Sequence, residues 1–588
     1  MPRRFFDSLW QFLLFKLVGE PLSNLPALHL VQSAIDGLVV VCFFFLLRFL
    51  CLPAYAAILA AALFSFWPNH GETHFWLTSA PQNLLSTLFV VLFAMTSVLL
   101  AGERRPLWLW AFDAVAFVCA LFTYDQGICV LFVIVALRLG LAFFDRWKDR
   151  WNVLAAHLPC FATGACYLWF RMKFHPDTYT MVVSTPLPVL GATISNTVSN
   201  TLGRMWLEHV MPLLGRATIT DWLLAFAVAA APTWLALRLA LRSSSSSRSE
   251  MGWKGLGAIL LLALVFYLAG YFPIWFWYSS PRHHYLPSVG LFAGVSACLV
   301  WVLNSLRLRS GRALVILLVG GAVFFLAAAS RGESHFWENS FTSKRQLFAE
   351  LKPDLVGQEV LVLEDFPFFL GPAFSITTHD AQYGPQLLYH GSSRLLHPQF
   401  HGSIGGTPAP GGLFLFTHAL YGGESFQYYP TQDALIARFT SWERGSLKFQ
   451  KNPARPLPYQ VISADRRPKN ASFAIQETSA RREGDGVIVS LRFQANVPPQ
   501  TYLTAIFSFN HGGKFLRWGQ RDRAGDLNVV PVLLSDPGPN PRSGGCEWVE
   551  TLRLPSFPQT DRIRMDFFEA RKHHPPAYLG GAEVGVEP

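Results

Sequence analysis

Trp67-Pro-Asn-His-Gly-Glu-Thr-His-Phe-Trp-Leu-Thr-Ser-Ala-Pro-Gln82 is a polar stretch between two apolar runs, Leu52 to Phe66 and Leu84 to Ala101. Each run approaches the ~20 residues that a helix needs to cross a bilayer, so the stretch is predicted to be a short loop at the mouth of a helix pair. It contains three ionisable side chains and two tryptophans, namely His70, Glu72, His74, Trp67 and Trp76. Polar groups at the boundary of the hydrocarbon layer are energetically unfavourable, so they usually have hydrogen-bond partners or a function. The loop is therefore either a functional site or an interfacial belt of aromatic residues.

The composition excludes an ordinary soluble protein. Of 588 residues, 51% are hydrophobic and only 15% are charged, which predicts a membrane protein with many spans. The formal net charge is +10, but in the first part of the chain most basic residues lie in short loops between apolar runs. That pattern indicates membrane topology, so we expect membrane lipids and no nucleic acid as partners. The eight cysteines show no zinc-site or disulfide spacing.

Ten apolar spans can be counted, at 28–49, 52–67, 83–101, 107–122, 128–144, 153–170, 221–241, 255–276, 287–306 and 313–329. The loops on one side of these spans are rich in arginine and lysine, which predicts that this side is cytoplasmic. The opposite side receives residues 67–82, 123–127 and 278–285 and everything after the last span. All the candidate functional residues lie on that non-cytoplasmic face in this topology.

From about Ser330 the chain becomes polar and rich in strand-forming residues. Segments 359–364 and 412–416 have the pattern of short buried strands and Phe341 to Leu351 that of a helix, which predicts a small exported α/β domain over 331–455. Six further strands separated by Gly and Pro predict an exported β-sandwich over 456–588. The predicted fold is thus a polytopic α-helical membrane domain of about ten helices over 1–330, followed by these two exported domains.

Three motifs in the first part of the chain resemble the GT-C superfamily of polytopic glycosyltransferases. The most similar branch contains the protein O-mannosyltransferases and the tetratricopeptide-containing transmembrane O-mannosyltransferases. The motifs are Pro68-x-His70-x-Glu72-x-x-x-Trp76, Arg282-His-His-Tyr-Leu-Pro-Ser288, which is similar to Arg-Tyr-x-Tyr-x-Pro-Ser, and Tyr124-Asp-Gln-Gly127, which stands where that branch usually has Lys-Glu. Their order and spacing carry the resemblance over about residues 1–330.

The chain also departs from the family pattern. His29-Leu-Val-Gln-Ser-Ala-Ile-Asp36 lies where the family has His-Leu-x-Asn-x-x-Leu-His, so Gln32 replaces an asparagine and Asp36 replaces a histidine. Ala80 replaces an arginine, and Tyr124 replaces a lysine. Asp36 is an acid inside a predicted span, which indicates either a functional role or a pairing within the bundle. Family members begin with a further helix and an outer loop bearing the catalytic acid, and we expect both to be missing here.

The resemblance implies transfer of a sugar from a polyprenyl-phosphate carrier to a glycan, lipid or protein acceptor. The expected location is a bacterial inner membrane, with the C-terminal domains in the periplasm. Such chemistry needs donors for the carrier phosphate and a carboxylate as general base. The planar guanidinium of Arg282 can make two parallel hydrogen bonds to phosphate oxygens. Alternatively, Arg282 anchors its loop at the membrane interface. The other candidates for substrate binding are His283, His284, Tyr285, His70, Glu72, His74 and Trp76.

Glu72 and Asp125 are weak candidates for the base, because the family takes this acid from the loop expected to be missing. No cofactor is expected. A divalent metal on His70, Glu72 and His74 is a minor possibility, since His-x-Glu-x-His is not the helical zinc motif. One alternative function is a catalytically inactive relative that acts as a membrane scaffold or glycan-binding protein. A transporter or lipid flippase is disfavoured, because the polar residues cluster at one membrane face instead of at mid-depth.

Overall fold

The computed structural model describes residues 5–18, 24–75, 80–100, 106–132, 158–174, 210–242, 253–271, 281–306, 308–367, 369–376, 401–404, 407–409, 411–417, 425–443, 446–454, 457, 459–469, 472–497, 501–512, 514–515, 529–535, 544–555, 558–571 and 577–588. These residues form two compact units, Met1–Trp337 and Glu338–Pro588. The polar composition that begins near Ser330 starts inside a helix, because Arg309–Leu351 is one continuous element. The predicted division near residue 455 stays a prediction.

The first unit is helical. Its elements are α1 (Phe5–Val18), α2 (Leu25–Phe49), α3 (Ala54–Ser65), α4 (Gly71–Phe75), α5 (Ala80–Leu100), α6 (Leu107–Thr123), α7 (Leu158–Phe174), α8 (Met211–Leu214), α9 (Ile219–Arg242), α10 (Trp253–Gly270), α11 (Tyr285–Ser305) and α12 (Arg309–Leu351), which continues into the second unit. Turns of 3-10 helix lie at Pro68–His70, Asp125–Cys129, Pro281–His284 and Lys352–Leu355.

Five helices in the described part of the chain are long and apolar enough to cross a membrane. They are Pro26–Phe49, Gln82–Leu100, Ile219–Arg242, Tyr285–Ser305 and Arg309–Leu355. Three further apolar helices are shorter: Ala54–Ser65, Leu107–Thr123 and Gly255–Gly270. The helical N-terminal part is therefore confirmed with five candidate spans, whereas the predicted count of ten is not. The predicted span at 128–144 lies mostly outside the described residues.

Small residues bring the helices of the first unit close together. A Cβ built on Gly290 of α11 would lie 2.5 Å from the Ala263 carbonyl oxygen of α10. Ala56, Ala57 and Ala60 of α3 are fully buried, and this helix packs against α2, α9 and α11. Close backbone approach of this kind is typical of packed helices in membrane proteins, where small residues replace bulky ones at the interface.

An ionic cluster joins α9 to α12. Asp221 accepts hydrogen bonds from the backbone N–H and hydroxyl of Thr218 and from Nε of Arg331, 3.0 Å away. Nε2 of His335 lies 2.8 Å from the same carboxylate. Thr218 and Asp221 form the reciprocal capping arrangement that satisfies free N–H groups at a helix start. The cluster fixes the segment of α12 that lies between Arg331 and His335.

The second unit is rich in β-structure. Its strands are β1 (Val360–Glu364), β2 (Phe369–Leu370), β3 (Ala373–Phe374), β4 (His401–Ile404), β5 (Thr407–Ala409), β6 (Gly412–Thr417), β7 (Ser425–Pro430), β8 (Ala434–Glu443), β9 (Ser446–Lys451), β10 (Gln460–Pro468), β11 (Ala474–Glu483), β12 (Gly486–Val497), β13 (Thr501–His511), β14 (Lys514–Phe515), β15 (Val529–Ser535), β16 (Gly544–Pro555), β17 (Arg562–Arg571) and β18 (Ala577–Glu587). The strands predicted at 359–364 and 412–416 correspond to β1 and β6.

Strand β1 is buried along its whole length and pairs in parallel with β4 and β8, while β9 pairs antiparallel with β8. Strands β5, β6 and β7 form a separate antiparallel sheet. The order in the largest sheet is β10-β16-β12-β11-β18-β17-β13-β14, with β15 also paired to β13. Alternate residues of β12 and β13, such as Phe493 and Phe507, point into one apolar core, because side chains alternate between the two faces of a strand.

Candidate functional site

The stretch 68–75, which was predicted to be a loop, is helical in the structure. A 3-10 turn over Pro68–His70 leads directly into α4. Proline suits the first position of a helix, because its fixed φ is already helical and its missing N–H would have no partner there. His70 and Glu72 are 0% and 2% exposed. Trp76 lies outside the described residues, so the aromatic belt is untested at that position.

Asp36 connects two of the motifs. Its carboxylate accepts a hydrogen bond from the Tyr285 hydroxyl at the start of α11. Nε2 of His74 lies 3.4 Å from the other carboxylate oxygen. Burial lowers the pKa of His74, but the negative charges of Asp36 and Glu333 outweigh burial and raise this pKa above its usual value. The Asp36 carboxyl group therefore lies between His74 of the first motif and Tyr285 of the second.

Gln32 lies one helical turn before Asp36 on α2 and holds the end of α4. Its side-chain amide donates hydrogen bonds to the Thr73 and His74 carbonyls, at 2.8 and 2.7 Å. Carbonyls in the last turn of a helix have no partner within the helix, so a side-chain donor there stabilises the end. Gln32 and Asp36 are the two α2 positions at which the chain departs from the family pattern, and both contact the 68–75 segment.

His70 is enclosed by aromatic rings. The Tyr285, Phe64 and His74 rings have centroids 4.6, 5.0 and 5.7 Å from its own. Among the described residues, neither of its ring nitrogens has a hydrogen-bond partner of normal geometry, although the Phe64 carbonyl is near enough to act on its pKa. Burial, followed by the nearby His74 and His284, holds the pKa of His70 well below its usual value. A neutral imidazole offers one donor and one acceptor, which matches a hydroxyl group of a ligand.

Glu333 of α12 is a site residue that the sequence did not reveal. It is 3% exposed, and its Oε1 accepts a hydrogen bond from the Trp337 indole at 3.3 Å. A Cβ built on Gly71 would lie 1.5 Å from the same oxygen, so Glu333 lies directly against α4. The sequence around it, Arg331-Gly-Glu-Ser-His335, has the composition of a solvated helix surface, and no signal in it distinguishes a buried acid.

The second and third motifs also meet. Nε2 of the Gln126 side chain donates hydrogen bonds to the carbonyls of Gly270 and His283, at 3.0 and 2.9 Å. The Tyr124 hydroxyl lies 2.9 Å from Nε2 of His283. Tyr124 of the third motif therefore contacts the second motif through its hydroxyl.

His284 is buried, and its Nδ1 lies 2.6 Å from the Tyr271 hydroxyl. Burial lowers its pKa to about 4, so the ring is neutral at physiological pH. His283 and His284 were expected to be donors for a phosphate, but each already has a ring nitrogen in a tyrosine contact. These contacts support the segment Pro281–His284, and a role of either histidine in phosphate binding stays a prediction.

The remaining predictions concern side chains outside the described part. Arg282 belongs to the Pro281–His284 turn and Asp125 begins the Asp125–Cys129 turn, so the structure places their backbones but not their side chains. Within the residues that the structure describes, no group of three or more His, Cys, Asp or Glu side chains is arranged to hold a metal ion. The minor possibility of a metal on His70, Glu72 and His74 gains no support.

The site therefore combines the buried His70 imidazole, a contact between His74 and the Asp36 carboxyl group, and two further buried acids, Glu72 and Glu333. Such a constellation can bind hydroxyl groups and move protons. Comparison of the whole chain with protein-family models, curated proteins and solved structures found no match. The resemblance to GT-C enzymes consequently rests on the three motifs and on the positions at which they meet.

Proposed function

We propose that this protein is a membrane glycosyltransferase of the GT-C type that takes a sugar from a polyprenyl-phosphate carrier and passes it to an acceptor on the non-cytoplasmic face. One observation carries the proposal: the three motifs, far apart in the sequence, come together around His70, Tyr285 and His283. Unrelated interfacial loops have no reason to converge on one buried polar cluster.

The character of the cluster supports a transferase over a passive interface. Buried polar groups normally have partners, and those that lack one call for an explanation such as a ligand. The imidazole of His70 is the clearest case among the described residues. The proposal includes the finer parts of the fold, namely about ten spans, an α/β domain and a β-sandwich on the exported side, and a bacterial inner-membrane location.

Arg282 is proposed to bind the carrier phosphate, because a guanidinium makes two parallel hydrogen bonds to phosphate oxygens. It belongs to the Pro281–His284 turn, and the next residue, His283, contacts Tyr124 and Gln126. A phosphate bound at this turn would lie beside the His70 and Tyr285 cluster. The sugar attached to it would then be the source of hydroxyl groups for His70.

The test is binding of undecaprenyl phosphate to the purified protein in detergent, compared with undecaprenol and with inorganic phosphate. Arg282→Ala is expected to weaken binding of undecaprenyl phosphate roughly tenfold to more than a hundredfold, because a charge-assisted hydrogen bond contributes ~1.5–3 kcal/mol. Arg282→Lys keeps the positive charge but loses the planar guanidinium, so its affinity for undecaprenyl phosphate should lie between those of the wild type and Arg282→Ala. Arg312→Ala is the matched control, since the Arg312 side chain hydrogen bonds to the Leu306 carbonyl away from the cluster.

Equal affinities for the wild type and Arg282→Ala would remove Arg282 from the carrier site. No preference of the wild type for undecaprenyl phosphate over undecaprenol would contradict the carrier itself. Binding of the carrier without sugar release from any polyprenyl-phosphate sugar would favour the inactive relative that acts as a scaffold or glycan-binding protein.

A further inference from the structure

We propose that Asp36 is the carboxylate that accepts the acceptor's proton in this enzyme. The inference rests on the proposed function and adds to it a residue that the motifs do not assign to this role. It begins from the acids in the cluster whose side chains the structure describes, Asp36, Glu72 and Glu333, and from a comparison of their accessibility.

Asp36 is the accessible acid of the three. Its side chain is 20% exposed and that of its partner His74 is 15% exposed. As whole residues, Glu72 and Glu333 are only 2% and 3% exposed. A general base must come within hydrogen-bonding distance of the proton that it removes. Asp36 meets this requirement without any movement of the helices, whereas Glu72 and Glu333 would have to become uncovered first.

Two partners orient the Asp36 side chain. One carboxylate oxygen accepts the Tyr285 hydroxyl and the other faces Nε2 of His74. A carboxylate oxygen has two lone-pair positions, so each oxygen retains one for a ligand hydroxyl. Gln32, one turn earlier, fixes the backbone of His74 through its carbonyl. The base is thus held by two residues from the motifs and by one neighbour on its own helix.

The proposed step balances without a further reactant. The acceptor hydroxyl gives its proton to Asp36 while the acceptor oxygen forms a bond to the anomeric carbon of the sugar. The bond from that carbon to the phosphate oxygen breaks, and its electron pair leaves on the polyprenyl phosphate. His70 is proposed to hydrogen bond to a sugar hydroxyl during this step, since its neutral ring provides both a donor and an acceptor.

The test uses the full-length protein in lipid nanodiscs and measures sugar release to water, which takes the place of the acceptor hydroxyl, from a panel of polyprenyl-phosphate hexoses and pentoses, alongside undecaprenyl phosphate binding. Asp36→Asn is expected to slow release by a hundredfold or more, with carrier affinity within about threefold of the wild type, as is typical for loss of a general base. Added formate should partly restore release by Asp36→Ala, because a small carboxylate can occupy the vacated position.

Asp113→Asn is the matched control. Asp113, like Asp36, is an acid in an apolar helix, but it is buried and accepts hydrogen bonds from the Thr96 and Ser97 hydroxyls at 2.5 and 3.2 Å. It lies outside the cluster, so release should stay within about threefold of the wild type. The comparison separates the general effect of losing a carboxyl group in an apolar helix from the loss of this particular base.

Three outcomes would overturn the assignment. Release by Asp36→Asn within threefold of the wild type would show that another group takes the proton, and the proposed function would stand. A loss of carrier affinity as large as that of Arg282→Ala, without formate rescue, would make Asp36 a structural residue. A wild type that binds the carrier and releases no sugar would exclude a catalytic base here, whereas failure to bind the carrier at all would contradict the proposed function itself.

Discussion

The carboxylate of Glu333 occupies the space that a side chain on Gly71 would need, because a Cβ built there would lie 1.5 Å from Oε1 of Glu333. The backbone of Glu333 has little freedom to move away, so only rotation of its side chain could make room. A Cβ on the preceding Gly332 would lie 2.0 Å from the Leu213 carbonyl oxygen, so α12 and the α8 segment are already in close contact. The Asp221 cluster holds the same turn of α12. Gly71 therefore allows α12 to reach the 68–75 segment.

We predict that Gly71→Ala lowers the stability of the protein in detergent by about 1–3 kcal/mol, the usual range for overpacking a buried site. The measurement is thermal melting followed by tryptophan fluorescence. Gly321→Ala on α12 is the control, since nothing lies within 4 Å of a Cβ at that position. When Glu333 is also replaced by alanine, Gly71→Ala should cause little further loss of stability. Equal costs with and without Glu333 would show that these two residues do not compete for the same space.

A second prediction concerns the crossing of α10 and α11. Gly290→Ala should destabilise the protein by about 2–3 kcal/mol, because the new methyl group would meet the backbone of Ala263 and Tyr267 at 2.5 Å and backbone cannot rotate away. Gly294→Ala, one turn further along α11, should be neutral or stabilising by up to ~1 kcal/mol, as alanine is favoured over glycine within helices. A Cβ there would be 3.6 Å from that of Ala263, an ordinary contact. Similar melting temperatures for both variants would contradict the close crossing.

The third prediction is the pH dependence of the second unit, expressed alone as residues 338–588. Glu550 is 2% exposed, and burial raises its pKa from 4.5 to about 7, although Arg466 acts in the opposite direction. The folded state therefore binds a proton more tightly than the unfolded chain. The protonated carboxyl stabilises the fold fully below about pH 4.5, and this contribution is lost as the pH rises to about 7.

The contribution of Glu550 to the free energy of unfolding that is lost over this pH range amounts to about 3 kcal/mol, because each pKa unit corresponds to ~1.4 kcal/mol. Glu550→Gln removes the titration, so its stability relative to the wild type should rise by this amount between pH 4 and pH 8 in urea unfolding. The control is Glu477→Gln, because Glu477 is an exposed acid on β11. The difference in stability between this variant and the wild type should not change with pH. A constant difference for Glu550→Gln across this range would show that the carboxyl titrates normally. Failure of the fragment to fold without detergent would contradict the predicted soluble, β-rich character of this unit.

Topology gives the fourth prediction. Reporter fusions at Ser245 and Arg309 should report the cytoplasm, and fusions at Thr180 and Gly422 should report the exported side, because the loops rich in arginine and lysine follow one alternation. A cytoplasmic signal at Gly422 would be incompatible with the predicted number of spans. It would also place the second unit on the wrong side for an exported domain.

The polar composition of the Trp67–Gln82 stretch led to the prediction of a loop, and the structure corrects this for residues 68–75. Composition correctly separates polar from apolar residues, but it cannot say what covers them. In the folded bundle, the neighbours of these residues come from α2, α11 and α12, and those neighbours supply hydrogen bonds and ion pairs that a solvated loop would obtain from water. A buried helical turn is therefore tolerated where the isolated sequence indicates an exposed one.

The sequence by itself determined the division into a helical part and a β-rich part, because runs of apolar residues and alternation of apolar and polar residues are local properties of the chain. It also determined the three motifs and the candidates His70, His74 and Tyr285. Only the tertiary structure placed Asp36 between His74 and Tyr285, and only it brought Glu333 against Gly71. These partners are far apart in the sequence, and their contact depends on how whole helices pack. Local periodicity fixes which face of a helix is apolar, but it contains no information about which distant polar residue will lie opposite.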